Sequence, residues 1–398
     1  MFANKYLQKQ NIVSCLQTPV QNNTGIIVVI PCLDEPNVLL TLNSLNSCNT
    51  PHCNIEVLIV INHSETASEA IKNNNLKTKS EIETWISDIR NEKIRFFVIG
   101  PVELQKKWAG AGLARKKGMD EAVCRFNQIH NPDGIIVSLD ADTLVEKNYL
   151  VEIEKHFSEN PKNVGATIAF KHETKGLSPK HLEGINLYEK YLSYYRESLK
   201  YTGYPFAMFT LGSAFAVKAE AYVRRGGMNR RQAGEDFYFL QNLAHIGNVG
   251  EISSTKVHPS ARLSSRVPFG TGPIMQKWMN GEEDLTKTYN FKAFVDLKLF
   301  FDIKANLFQI EQAGYENLLS ILPKSVYDFL VYDNFWAELE DLNRNCSTLE
   351  SFQVRFFQKF NAFKILKYLN FVHKKHYETI AMFLVISEPS EDILQSEK

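Results

Sequence analysis

The chain lacks a charge bias. Lys and Arg number 45 and Asp and Glu number 45, for a net charge of zero. That excludes a global pull toward nucleic acid or an acidic membrane surface, and no nucleic-acid partner is expected. No uncharged run reaches transmembrane length, so no membrane-spanning segment is expected, although peripheral association stays open. Met1 to Gln10 carries Lys5 and Lys9 without an apolar core, so no signal peptide is expected there. The six cysteines (Cys15, Cys32, Cys48, Cys53, Cys124 and Cys346) show no CxxC spacing. Neither a disulfide framework nor a zinc site is expected, and the simplest compartment is a reducing cytoplasm. An internal repeat is also missing.

What is present is apolar bulk and aromatic rings. The 398 residues are 44% hydrophobic, with 26 Phe and 16 Tyr, many in the last third. Residues 1–23 read as a polar leader. Strands and helices then alternate: a strand at 25–31, a helix at 37–47, a strand at 55–61, a helix at 81–90, a strand at 94–99, a helix at 112–126 and a strand at 134–139. This order predicts a mostly parallel sheet with helices on both faces. Further on, 164–170 reads as a strand, 179–201 as a long tyrosine-rich helix and 237–244 as a helix. From about Tyr289 the alternation stops. Residues 289–386 read as amphipathic helices, with Phe352, Phe356, Phe357 and Phe360 at helical spacings. A boundary falls near 285, which divides the chain into a leader (1–23), an α/β domain (24–285) and a helical accessory region (286–398). Residues 387–398 read as a polar tail.

Four segments carry candidate chemistry. The first is Gly134 to Asp142, an apolar strand that ends in Asp140 and Asp142. On an extended chain residues two apart point the same way. Ligands of open α/β sheets sit outside the carboxyl ends of the strands. Two carboxylates there suit a hard divalent cation held against a diphosphate; as bare acids they would merely cap the next helix. The second segment is Pro31 to Asn37, directly after the first strand, with Glu35 facing the same crevice. The third is Gly110 to Gly118. Arg115 stands where a dinucleotide fingerprint would need its third glycine, which rules that fingerprint out and suits Arg115 to an anionic ligand. Ala114, Gly118 and Ala122 give this helix a small-residue face that fits close against a sheet. The fourth is Gly226-Gly227, followed by Glu235 and Asp236 at a helix start among aromatics, where a carboxylate can serve as a general base.

Taken in order, the four segments resemble the family 2 glycosyltransferases with the GT-A nucleotide-sugar fold, of the soluble, non-processive bacterial kind. The resemblance covers about residues 24–275. It implies transfer of one sugar from a nucleoside-diphosphate sugar to a hydroxyl of a sugar or glycoconjugate acceptor, with inversion and with Mn²⁺ or Mg²⁺ as cofactor. Asp142 would bind the metal, and Asp140 the donor ribose or the metal. Asp236 would be the base, with Glu235 helping to place the acceptor. Pro31, Glu35 and Arg115 would belong to the donor site. His258 falls where a third metal ligand often stands, against the alternative of a structural histidine. Arg262 and Arg266 would clamp the diphosphate.

The chain departs from the family after its second strand. Paired aspartates usually read the base and ribose there; this chain has Asn62, which can still hydrogen-bond a base edge. The Gln-x-x-Arg-Trp signature of processive synthases is missing. A sugar-phosphate nucleotidyltransferase is an alternative, but it calls for a glycine-rich basic loop after the first strand, and residues 32–37 contain no glycine and no basic residue. A degenerate sugar- or nucleotide-binding scaffold is the non-enzymatic alternative; the presence of both Asp142 and Asp236 argues against it.

Overall fold

The computed structural model describes residues 1–230, 234–264 and 270–384. Arg266 and the tail at 387–398 lie outside the described residues. The chain divides into two compact units, Met1–Leu177 with Thr210–Lys277, and Ser178–Phe209 with Trp278–Lys398.

The first unit is built on an eight-stranded sheet. Its strands are β1 (Thr24–Cys32), β2 (Asn54–Ser64), β3 (Ile94–Leu104), β4 (Ile135–Ser138), β5 (Thr143–Val145), β6 (Gly165–Phe170), β7 (Phe215–Lys218) and β8 (Val249–Pro259). They run in the order β3-β2-β1-β4-β7-β6-β8-β5. The first four are mutually parallel, as the alternating strand and helix pattern predicts. β7 is antiparallel to both β4 and β6, and β5 is antiparallel to β8. β1 and β4 are apolar along their lengths because both faces are covered: Val28, Ile30, Ile136 and Val137 are fully buried.

Helices of this unit flank the sheet. They include α1 (Asn4–Gln10), α2 (Val38–Asn46), α3 (Glu69–Asp88), α4 (Ala111–Gln128), α5 (Tyr149–Glu159) and, further along, Glu235–Leu243. Ser68 caps α3, its side chain accepting from the Ile71 amide at 3.4 Å. α4 lies close on the sheet through its small-residue face. Ala114 and Ala122 are fully buried, and a Cβ on Gly118 would stand 2.4 Å from Val29 Cγ1, so only glycine fits there. Within residues 1–23, α1 packs against α4. The Tyr6 hydroxyl donates to Asp120 at 2.7 Å, Tyr222 donates to the same carboxylate at 2.9 Å, and Lys116 lies 2.9 Å from its other oxygen.

The second unit is helical. Ser178 and Pro179 start a helix over Pro179–Tyr201. Six helices follow between Phe291 and Lys375. Phe300 and Phe301 pack edge or tilted on Phe335, Phe356, Phe357 and Phe360, with ring centroids 5.1 to 6.2 Å apart where these rings meet. The phenylalanines at helical spacing are therefore core. Asp296, buried beside these rings, accepts hydrogen bonds from the Ser325 and Tyr377 hydroxyls. No described helix is long and apolar enough to cross a membrane.

Candidate active site

The carboxyl ends of β1 and β4 are adjacent, since β1 pairs with β4 from Ile26–Ile135 to Val29–Ser138. Beyond β1 the chain turns at Asp34, whose φ of 46° lies in the left-handed region that a short polar side chain tolerates. That turn delivers Glu35, only 3% exposed. Beyond β4 come Asp140 and Asp142, both partly exposed.

Two arginines organise these acids. Arg115, near the start of α4, is 1% exposed. Its Nη2 donates to Asp140 Oδ1 at 2.6 Å, and its Nη1 donates to Glu235 Oε1. One guanidinium thus ties the end of β4 to the helix start that bears Glu235 and Asp236. Gly212 makes room for it: a Cβ there would stand 2.6 Å from Arg115 Nη2. The Gly212 carbonyl in turn accepts from Ser138 Oγ at 2.5 Å. The second arginine, Arg262, grips Glu35 with both Nη atoms, Nη1 at 2.7 Å from Oε1, and lies 2.9 Å from Asp142 Oδ2.

The crowding of acids shows in their protonation. Burial, then the Asp140 charge, pushes the Asp142 carboxyl up to about 7 against the pull of Arg262. Burial, then Glu235, raises Asp236 well above the ordinary carboxylate range, opposed by Arg115. Burial also raises Glu35, with Arg262 pulling the other way. A carboxylate lifted toward neutrality is suited to taking a proton at neutral pH.

Other expected site residues lie differently. Pro31 is a buried β1 residue. Asn62 is 2% exposed, and its amide donates to the Cys32 and Val60 carbonyls at 3.0 and 3.3 Å, tying β1 to β2. Asn75 of α3 lies over it and donates to the Asn62 carbonyl at 2.8 Å. His258 of β8 pairs with Leu144 of β5; its Nε2 is 3.6 Å from Glu146 and its Nδ1 is 2.9 Å from the Lys171 carbonyl. Arg115, expected to meet an anionic ligand, donates to the protein carboxylates of Asp140 and Glu235. Sequence reasoning did not foresee the bridging by Arg115, the role of Gly212 or the Glu146 partner of His258. Residues 115, 140, 212 and 235 have no common spacing, so no linear signal links them.

A cleft of about 610 Å³ opens beside this cluster, lined by Asp34, Glu35, Asn74, Thr78, Glu81 and Arg262 among others. Its size suits a small-molecule ligand.

Residues 27–224 match the family model for glycosyl transferase family 2. Over those residues the chain is a family 2 glycosyltransferase. It is accordingly an enzyme of glycosyl transfer, with the GT-A arrangement of a mostly parallel sheet flanked by helices. No curated protein matches it in sequence. Among solved structures, this glycosyltransferase is similar to TarS 1–349 of S. aureus in complex with UDP-GlcNAc, at 12% identity, covering 84% of this chain and 91% of that one, with a TM-score of 0.44. It is also similar to the mannosyltransferase PcManGT of Pyrobaculum calidifontis in complex with GDP-Man and Mn²⁺, at 11% identity, covering 90% of this chain and 94% of that one, with a TM-score of 0.39.

The carboxylates of Asp140 and Asp142 fit a hard divalent cation. They are oxygen donors, they crowd negative charge, and two guanidiniums already answer that charge, Arg115 at Asp140 and Arg262 at Asp142. Among the described residues, no three His, Cys, Asp or Glu side chains form a ready metal cage. Two carboxylates plus substrate phosphates and water make a usual set for Mg²⁺ or Mn²⁺.

Proposed function

We propose that this enzyme moves a single sugar from a nucleoside-diphosphate sugar to an acceptor hydroxyl, with inversion and with a divalent cation. The reading rests on one observation: the buried Arg115 guanidinium holds Asp140, at the end of β4, and Glu235, next to Asp236, in a single ion-paired unit. A metal-binding acid pair and a basic carboxylate are thereby kept in register.

In this reading Asp140 and Asp142 hold the cation. When bound, it neutralises the charge that grows on the leaving diphosphate. Arg262 answers the same charge from its partly exposed position. Asp236 takes the acceptor proton as the hydroxyl oxygen bonds to the anomeric carbon and the bond to the diphosphate oxygen breaks. A single displacement of this kind inverts the anomeric centre. Burial and Glu235 keep the Asp236 carboxylate basic, while Arg115 carries the countercharge that lets two adjacent acids sit in one buried corner. A general base typically contributes about 10²–10⁴-fold.

The test is a donor-hydrolysis screen over a nucleotide-sugar panel, with and without Mn²⁺, followed by NMR of the product anomer. Metal-dependent release of a nucleoside diphosphate with inversion is expected. Release of pyrophosphate from a nucleoside triphosphate and a sugar phosphate would instead favour nucleotidyl transfer, and retention at the anomeric carbon would remove Asp236 as the base.

A further inference from the structure

Glu35 is a buried carboxylate, 3% exposed, and so needs a countercharge. Arg262 supplies it through a two-armed contact, with Nη1 at 2.7 Å from Oε1 and Nη2 on Oε2. The same Nη2 lies 2.9 Å from Asp142 Oδ2. One guanidinium therefore bridges two carboxylates across the ends of β1 and β4, where a divalent ion would bring twice the charge. The guanidinium is not locked in: its side chain is 29% exposed, and Asp142 is 26% exposed. A planar fork held on Glu35 can keep that contact and exchange only its Asp142 contact for a phosphate oxygen.

We propose that Arg262 stands in for the divalent cation in the ligand-free enzyme, pivoting on Glu35, and that the donor diphosphate releases Asp142 by drawing Arg262 away. This rests on the reading of the site as a metal-dependent donor site. Metal alone has to displace Arg262 from Asp142. Metal arriving with a diphosphate does not, because Arg262 gains phosphate oxygens as it leaves. Metal and diphosphate are then coupled through Arg262 in addition to their direct attraction, and each tightens the other.

The experiment is calorimetric titration of the full chain with Mn²⁺ alone, then with Mn²⁺ in the presence of UDP or GDP. Without nucleotide, Arg262→Gln should bind Mn²⁺ about five- to tenfold tighter than the parent, the scale of one partly exposed ion pair. Arg262→Lys keeps a charge for folding but loses the fork, and it should tighten Mn²⁺ binding about two- to threefold. With nucleotide present, the gain in Mn²⁺ affinity should be smaller in both variants than in the parent. If UDP and GDP both fail to bind the parent in Mn²⁺, the donor reading falls and takes this inference with it. If a nucleotide binds but both variants bind Mn²⁺ alone no more tightly than the parent, only the stand-in role of Arg262 is overturned.

Discussion

Replacing Asp142 by Asn should stabilise the metal-free protein at neutral pH while removing metal-dependent nucleotide binding. The carboxyl is raised from an ordinary 3.8 to about 7, first by burial and then by Asp140. Between these values the folded protein keeps a proton that the unfolded chain has released. Stability from this group therefore falls as pH rises from about 4 to 7, and above 7 the full cost of the crowded charge remains. At about 1.4 kcal/mol per tenfold change in proton affinity, the ceiling is about 4 kcal/mol. Partial exposure and the lost Arg262 contact reduce this, so a net gain of about 1–2 kcal/mol is expected. For a unit of this size, that raises Tm by about 2–6 °C. The assay is thermal unfolding in a chelator at pH 7.5 and again near pH 4. The gain should be full at the first and absent at the second. With Mn²⁺ and a nucleoside diphosphate at about 100 times the dissociation constant, the parent gains about 2.7 kcal/mol and the variant does not, so the order of stabilities reverses. A variant that melts below the parent at pH 7.5, or gains equally at both pH values, would refute the reasoning.

Three further outcomes follow from the same geometry. Asp236→Asn keeps the size but cannot accept a proton; transfer should slow by about 10²-fold or more with donor affinity little changed, and the parent's rate should fall on the acid side at a pH well above the usual carboxylate range, both read from kcat and KM across pH. Gly212→Ala would thrust a Cβ to 2.6 Å from Arg115 Nη2, so a loss of about 1–3 kcal/mol in urea unfolding and of about tenfold or more in kcat is expected, and a fully active variant of parental stability would argue against the Arg115 bridge. Phe356→Ala removes a ring packed among Phe300, Phe335 and Phe360 and should cost about 3–5 kcal/mol in unfolding measurements, whereas a cost below about 1 kcal/mol would mean that these rings do not form a packed core.

Local patterning determined much of this protein. The apolar runs at β1, β2 and β4, the small-residue face of α4 and the phenylalanine spacing near the C-terminus each follow from a residue's own burial, which is continuous in a strand covered on both faces and recurs every third or fourth residue in a helix. The helix Pro179–Tyr201 is legible because Ser178 and Pro179 mark its start and its apolar stripe is long. Ordered segments also pointed to the acids, because chain turns at strand ends bear polar residues whatever the fold does next. Tertiary structure decided the rest. β8 is hard to read because its residues Ser253-Ser254-Thr255-Lys256 are polar and its pairing with β6 shifts register between Ile168 and Ala169, which breaks the two-residue alternation. Asn62 looks like a base reader in the chain, but its buried amide donates to the Cys32 and Val60 carbonyls, and Asn75 of α3 donates to its backbone carbonyl. Arg115 looks like an anion-binding arginine, yet its partners come from residues 25 and 120 positions away. A charge on the page does not reveal its countercharge; in a low-dielectric interior the nearest opposite charge sets the role, and only the folded chain says which one that is.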